Sequence, residues 1–159
     1  MDAEAIPVTV QDTQGTPKRI VVGVDGSDES RAALRWASRL APTLGCTIEA
    51  VIAWHYPVVA PWQSAILVDI PEMWEPEAAA KAALDEALKS EFAAEVPAGL
   101  IMSVRRGQAA HVLLEASRDA TMLIVGSRGH GGFAGLLLGS VSSACAEHAT
   151  CPVLVVHES

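Results

Sequence analysis

Near its start the chain carries a run with no polar face, Ile20-Val21-Val22-Gly23-Val24. A strand with one wet side alternates apolar and polar residues. A run that is apolar at every position suits a strand covered on both sides, as in a parallel sheet. Met122-Leu123-Ile124-Val125 repeats the pattern far along the chain. Parallel neighbours cannot be joined by a hairpin. They need crossover connections, usually helical and almost always right-handed. These two runs therefore already point to an α/β fold.

The segments between them agree. A strand is expected over Arg19–Val24, broken by Asp25-Gly26-Ser27-Asp28, where Ser27 or Asp28 can cap a helix. That helix carries Ala33, Trp36, Ala37, Leu40 and Leu44 at helical spacing and ends at Gly45. Arg31, Arg35 and Arg39 form a second stripe, read as a solvated face. Strands follow at Thr47–Trp54, Leu100–Arg105, Thr121–Val125 and Pro152–Val156. Helices are expected at Glu75–Val96, with Ala80, Leu84, Leu88 and Phe92 as its apolar face, then at Gly107–Ser117 and Ser140–His148. In the last helix Val141, Cys145 and His148 share a face. The proline-broken stretch His55–Trp74, which contains Trp62, is of a length that in a compact domain goes with a task of its own or with disorder. The expected architecture is a three-layer α/β sandwich with a parallel sheet. Residues 1–17 read as a flexible tail and 18–159 as one domain.

Composition narrows the function. With 159 residues, half of them hydrophobic, the chain can bury a real core. A formal charge of −8 disfavours nucleic acid as a partner, because that interface needs clustered Lys and Arg. Cys46, Cys145 and Cys151 sit in apolar surroundings and read as small buried hydrophobes. No signal-peptide pattern and no membrane-length apolar run are seen, so a cytoplasmic protein with no membrane partner is expected.

The chemistry lies at two strand ends. In open α/β sheets ligands bind beyond the carboxyl ends of the strands, where the chain changes direction. Asp25-Gly26-Ser27 follows the first strand, and Gly126-Ser127-Arg128-Gly129 follows the fourth. Nine residues after Gly129 come Gly139 and Ser140, at the start of a helix. Strand, glycine loop and helix start make a cradle for phosphate: glycines let backbone N–H groups approach an anion, and the helix offers its unpaired ones. Asp25 could accept from ribose hydroxyls, hold Mg²⁺ through water, or serve only as a turn residue. Arg128 could reach phosphate or face solvent, and His130, between glycines, reads as loop filler. No G-x-x-x-x-G-K-S/T motif is present, and Lys18, Lys81 and Lys89 all lie far from the glycine loop. No catalytic triad is evident either. Phosphoryl transfer needs positive charge on the developing transition state, so binding without catalysis, or with slow hydrolysis, is expected.

The run from Gly126 to Val141 resembles the universal stress protein family, in particular its ATP-binding branch. The family pattern is glycine, two residues, glycine, nine residues, then glycine and serine or threonine. Val22-Gly23-Val24-Asp25-Gly26-Ser27, Arg105-Arg106-Gly107 and Cys151-Pro152-Val153-Leu154-Val155-Val156 are similar too. The resemblance implies a five-stranded parallel sheet of order 3-2-1-4-5, of the adenine nucleotide α-hydrolase-like kind. It implies ATP, with Mg²⁺ or Mn²⁺. Asp25 and Gly126 would lie near the ribose. Gly129, Gly139, Ser140 and Val141 would line the phosphates, with Arg128, His130 and Ser142 beside them. The chain at Val24, Ala53 and Trp54 would hold adenine. It also implies a homodimer through Pro152–Val156. The expected function is a nucleotide-dependent regulator or sensor in stress response. The alternatives are a slow ATPase, a protein autophosphorylated on Ser140, Ser142 or Ser143, and a dimeric scaffold for AMP or cyclic AMP.

Overall fold

The structure, a computed structural model, describes residues 17–56, 75–129, 135 and 137–158. Five strands and four helices alternate: β1 (Arg19–Gly23), α1 (Asp28–Leu44), β2 (Thr47–Trp54), α2 (Pro76–Glu91), β3 (Ile101–Arg106), α3 (Ala109–Ala116), β4 (Met122–Gly126), α4 (Ser140–His148) and β5 (Val153–Val156). The strands form one sheet of order β3-β2-β1-β4-β5, all parallel. The three-layer fold and its strand order are thus as expected. Residues 1–16, the loop residues 57–74 with Trp62, and His130 lie outside the described residues.

The all-apolar runs are buried on both faces, and the pleat sends alternate residues to different layers. Ile20, Val22, Ile48, Ala50 and Ile52 pack against α1 and α2 through Ala33, Leu34, Ala37, Leu84, Ala87 and Leu88. Val21, Val51, Leu123 and Val125 face α3 and α4 through Val112, Leu113, Ala116 and Cys145. β1 pairs with β2 on one side and β4 on the other, Val21 opposite Glu49 and Ile20 opposite Met122. The winding direction reverses between β1 and β4, which brings the two glycine-bearing loops to one crevice.

Five expectations change. The buried stripe of α1 is Ala33, Leu34, Ala37 and Ala41, while Trp36 and Leu44 are exposed. Three alanines beside Leu34 let the helix sit close to the sheet, Trp36 and Leu44 turn outward, and Arg39 stacks on Trp36 with its guanidinium carbon 5.7 Å from the ring centre. The arginine stripe is not uniformly solvated. Arg35 binds Glu91 at the end of α2 (2.8 Å) and Glu158 after β5 (3.1 Å). The Glu91 hydrogen bond, followed by the charges of both glutamates, outweighs partial desolvation and raises the Arg35 pKa. Helix α2 ends at Glu91, short of Val96. Only Cys145 is fully buried; Cys46 and Cys151 are half-buried. Burial, with a smaller effect of Cys151, pushes the Cys145 thiol up to about 11, so Cys145 stays a neutral core residue at ordinary pH. His148 is exposed, off the face that Cys145 buries.

Candidate functional site

The site grows from the ends of β1 and β4. Ser27 caps α1, its hydroxyl accepting from the Ser30 amide at 3.2 Å. Asp25 accepts from the Ser27 amide at 2.9 Å and from the Ser27 hydroxyl. It is therefore a turn residue, yet its other oxygen lies directly against Gly129. The two roles left open by the sequence do not exclude each other. A Cβ at position 129 would collide with that oxygen. At position 126 it would come within 2.7 Å of the Glu29 Cβ and 3.0 Å of the Glu29 carbonyl carbon. Both glycines are needed for close approach: one seats α1 against β4, the other brings the glycine loop to Asp25.

Ser127 holds the loop, and the sequence reading passed over it. Its side chain is fully buried. Its amide donates to the Val156 carbonyl at 2.7 Å, and its carbonyl accepts from the Gly139 amide (2.6 Å) and the Ser142 hydroxyl (2.7 Å). Its own hydroxyl donates to Glu29 at 2.9 Å. One residue thus ties together β5, the start of α4 and the first turn of α1. A polar residue directly after a buried strand was the available signal. Glu29 was also missed. It accepts from the Ser127 hydroxyl and from the Arg128 amide, and lies 3.7 Å from Arg128 Nε.

The remaining residues divide by what they can present to a ligand. Gly139 is the N-cap of α4 and has no side chain to satisfy the first amides. The amides of Ser140, Val141 and Ser142 lack partners within the helix by geometry, and the helix dipole adds partial positive charge there. The Ser140 side chain is exposed and Val141 is half-buried. Ser142 is buried, its hydroxyl bound to the Ser127 and Gly139 carbonyls, so it braces the loop from within. Arg128 is about half exposed. Val24 is buried, with its amide on the Val51 carbonyl at 2.8 Å, leaving backbone and not side chain at the crevice. Ala53 packs partly into the α3 layer. Trp54 meets Tyr56 edge to face at 5.5 Å, and the Arg106 guanidinium lies 5.7 Å and 5.4 Å from the two rings. Among the described residues no group of three or more His, Cys, Asp or Glu could hold a metal ion. None of the described helices is long and apolar enough to cross a membrane.

Residues 16–157 match the model of the universal stress protein family. The chain belongs to that family. Universal stress protein Rv2623 of Mycobacterium tuberculosis is 34% identical over 142 residues, which cover 87% of this chain and 47% of that protein. The chain thus spans about half the length of the curated relatives it matches. Among solved universal stress proteins, UspA from Lactobacillus plantarum superposes with a TM-score of 0.69 at 21% identity, over 89% of this chain and 99% of that one. A universal stress protein in complex with cAMP does so with a TM-score of 0.61 at 25% identity, over 89% and 98%.

Proposed function

We propose that this universal stress protein domain binds an adenine nucleotide, ATP foremost, in the crevice between the loops after β1 and β4. It would act as a nucleotide-dependent regulator and not as an efficient catalyst. The observation that carries this reading is the convergence of the Asp25 carboxylate, the glycine loop and the amide-rich start of α4. The carboxylate suits ribose hydroxyls. The amides of Gly129, Ser140 and Val141 suit phosphates, Arg128 could add charge once it leaves Glu29, and Gly126 lets the chain pass close to the sugar. The backbone at Val24 and Ala53, with the Trp54 ring, would enclose the base. Ser142 contributes by bracing.

Divalent cations would enter this site with the nucleotide. Without a cluster of protein ligands among the described residues, Mg²⁺ or Mn²⁺ would be carried in on the phosphates with water around it, as hard cations prefer. The cAMP complex of a relative at 25% identity supports a second reading, in which the pocket takes an adenine nucleotide with fewer phosphates. Autophosphorylation would fall on Ser140 or Ser143, which are exposed, rather than on buried Ser142. Pairing of two copies through β5 is proposed on the ground that β5 is an edge strand whose Val153, Leu154 and Val155 are half-buried.

Calorimetric titration with ATP, AMP and cAMP, each with and without Mg²⁺, separates these readings. The expected order puts ATP with Mg²⁺ first. Gly129→Ala should lower affinity at least about tenfold, equivalent to 1.4 kcal/mol, by pushing Asp25 aside. No heat with any of the three nucleotides at millimolar concentration would end the proposal.

A further inference from the structure

We propose, resting on the nucleotide reading above, that Glu29 is an internal competitor for the phosphate loop. A nucleotide's phosphate would then enter by exchanging with this carboxylate, a swap that favours metal-complexed or weakly charged phosphates over free triphosphate.

The loop already holds an anion, and the protein supplies it. Glu29 lies in the first turn of α1 and its side chain is only 14% exposed. Its carboxylate takes the Ser127 hydroxyl at 2.9 Å and the Arg128 amide, and stands 3.7 Å from Arg128 Nε. A hydroxyl, a main-chain amide and a guanidinium at the start of a glycine loop are the donors a phosphate oxygen would use. While Glu29 keeps them, an incoming phosphate is left with the Gly129 amide and those at the start of α4. When Glu29 swings out, three donors become available together, and the Arg128 head is released from its acidic neighbour.

Charge sets the direction of the effect. Asp25 and Asp28 are exposed beside the same turn, and the whole chain carries a formal charge of −8. A free triphosphate therefore meets a carboxylate on its own donors inside an acidic field. A divalent cation on the phosphates removes much of that repulsion. Glu29 thus converts a loop that would hold any phosphate into one that discriminates by ligand charge.

The test is calorimetry on the full chain with three probes: ATP in EDTA, ATP with Mg²⁺, and inorganic tripolyphosphate. Each variant is first checked for folding by circular dichroism and thermal melting. Glu29→Gln keeps the shape and loses the charge. It should bind metal-free ATP and tripolyphosphate roughly tenfold more tightly than wild type, and the advantage conferred by Mg²⁺ should shrink. Glu29→Asp keeps the charge but draws it back by one methylene. It should give a gain of about threefold, and it carries the test if Glu29→Gln does not fold. Binding by wild type with no gain in the variants would overturn the role of Glu29 and leave the nucleotide site standing. Absence of binding by wild type and variants alike would overturn both. Binding by Glu29→Gln alone would show the competitor at full strength.

Discussion

Two glutamates of this protein are each gripped by several donors, and the kind of donor separates them. Glu49 on β2 lies across the sheet face. One oxygen accepts from Arg105 at 2.7 Å and Ser103 at 2.7 Å, the other from Arg19 at 3.1 Å. Arg19 also donates to the Ala116 carbonyl at the end of α3. The Glu49 charge is matched by two guanidinium groups from neighbouring strands, so its carboxylate belongs to the fold. Glu29 is held by a hydroxyl and a backbone amide, with Arg128 Nε, its one cation among the described residues, at 3.7 Å. Its donors are of the kind an anion site uses, and the Arg128 head among them is half exposed. A buried charge with a full set of ionic partners is architecture; one resting on exchangeable donors is a candidate for displacement.

Mutations can break or sharpen that contrast. The largest effect is expected at Glu49→Ala, which strands two arginines on the sheet and should cost about 3 kcal/mol in chemical denaturation. Nucleotide affinity should be unchanged. A loss below about 1 kcal/mol would show that water replaces the carboxylate easily and that the two glutamates are alike.

Next comes a buried acid with no cationic partner at all. Cys145 remains protonated because burial raises its pKa from 9.0 to about 11. A raised folded-state value means that stability is intact below pH 9. It is then lost as the pH rises toward 11, since the unfolded chain releases the proton first. Wild type should lose about 2–3 kcal/mol across that window, and Cys145→Ala should flatten the decline. Equal alkaline slopes for the two proteins would refute the burial effect.

Ser127→Ala removes a buried hydroxyl and frees Glu29 from one of its two hydrogen-bond donors. A stability loss of about 1–2 kcal/mol is expected, with the melting temperature lowered by a few degrees. The smallest change belongs to Glu29→Ala, within about 1 kcal/mol of wild type, because phosphate or water can satisfy what it leaves behind. A loss as large as that of Glu49→Ala would place Glu29 among the structural charges.

Much of the frame could be read without coordinates. The bounds of β2 and α4 are as expected, and Ser27 is one of the two caps named for α1. These elements are governed by local rules: an apolar run, a hydroxyl before a helix, a glycine at a turn. The buried stripe of α1 was misread because helical spacing admits Trp36 and Ala37 alike. Only packing against the sheet decides that Ala33, Leu34 and Ala37 go inward while Trp36 stays out. The places of Asp25, Gly126, Gly129, Gly139 and Ser140 at strand and helix ends, from which the candidate site is built, were legible. Ser127 and Glu29 were not, since they are 98 residues apart and their hydrogen bond forms only after β1 and β4 pair.

The order of apolar runs, caps and glycines by itself determined an α/β chain with a glycine loop between a buried strand and a helix start. Those features act within a few residues of one another, where chain geometry leaves few choices. The tertiary structure alone decided which carboxylate turns on the loop, which stays in the sheet, and which arginine answers each. Such pairings depend on distances between elements remote in sequence. They are set when helices and strands pack, because a buried charge takes the nearest donor that the packing leaves to it.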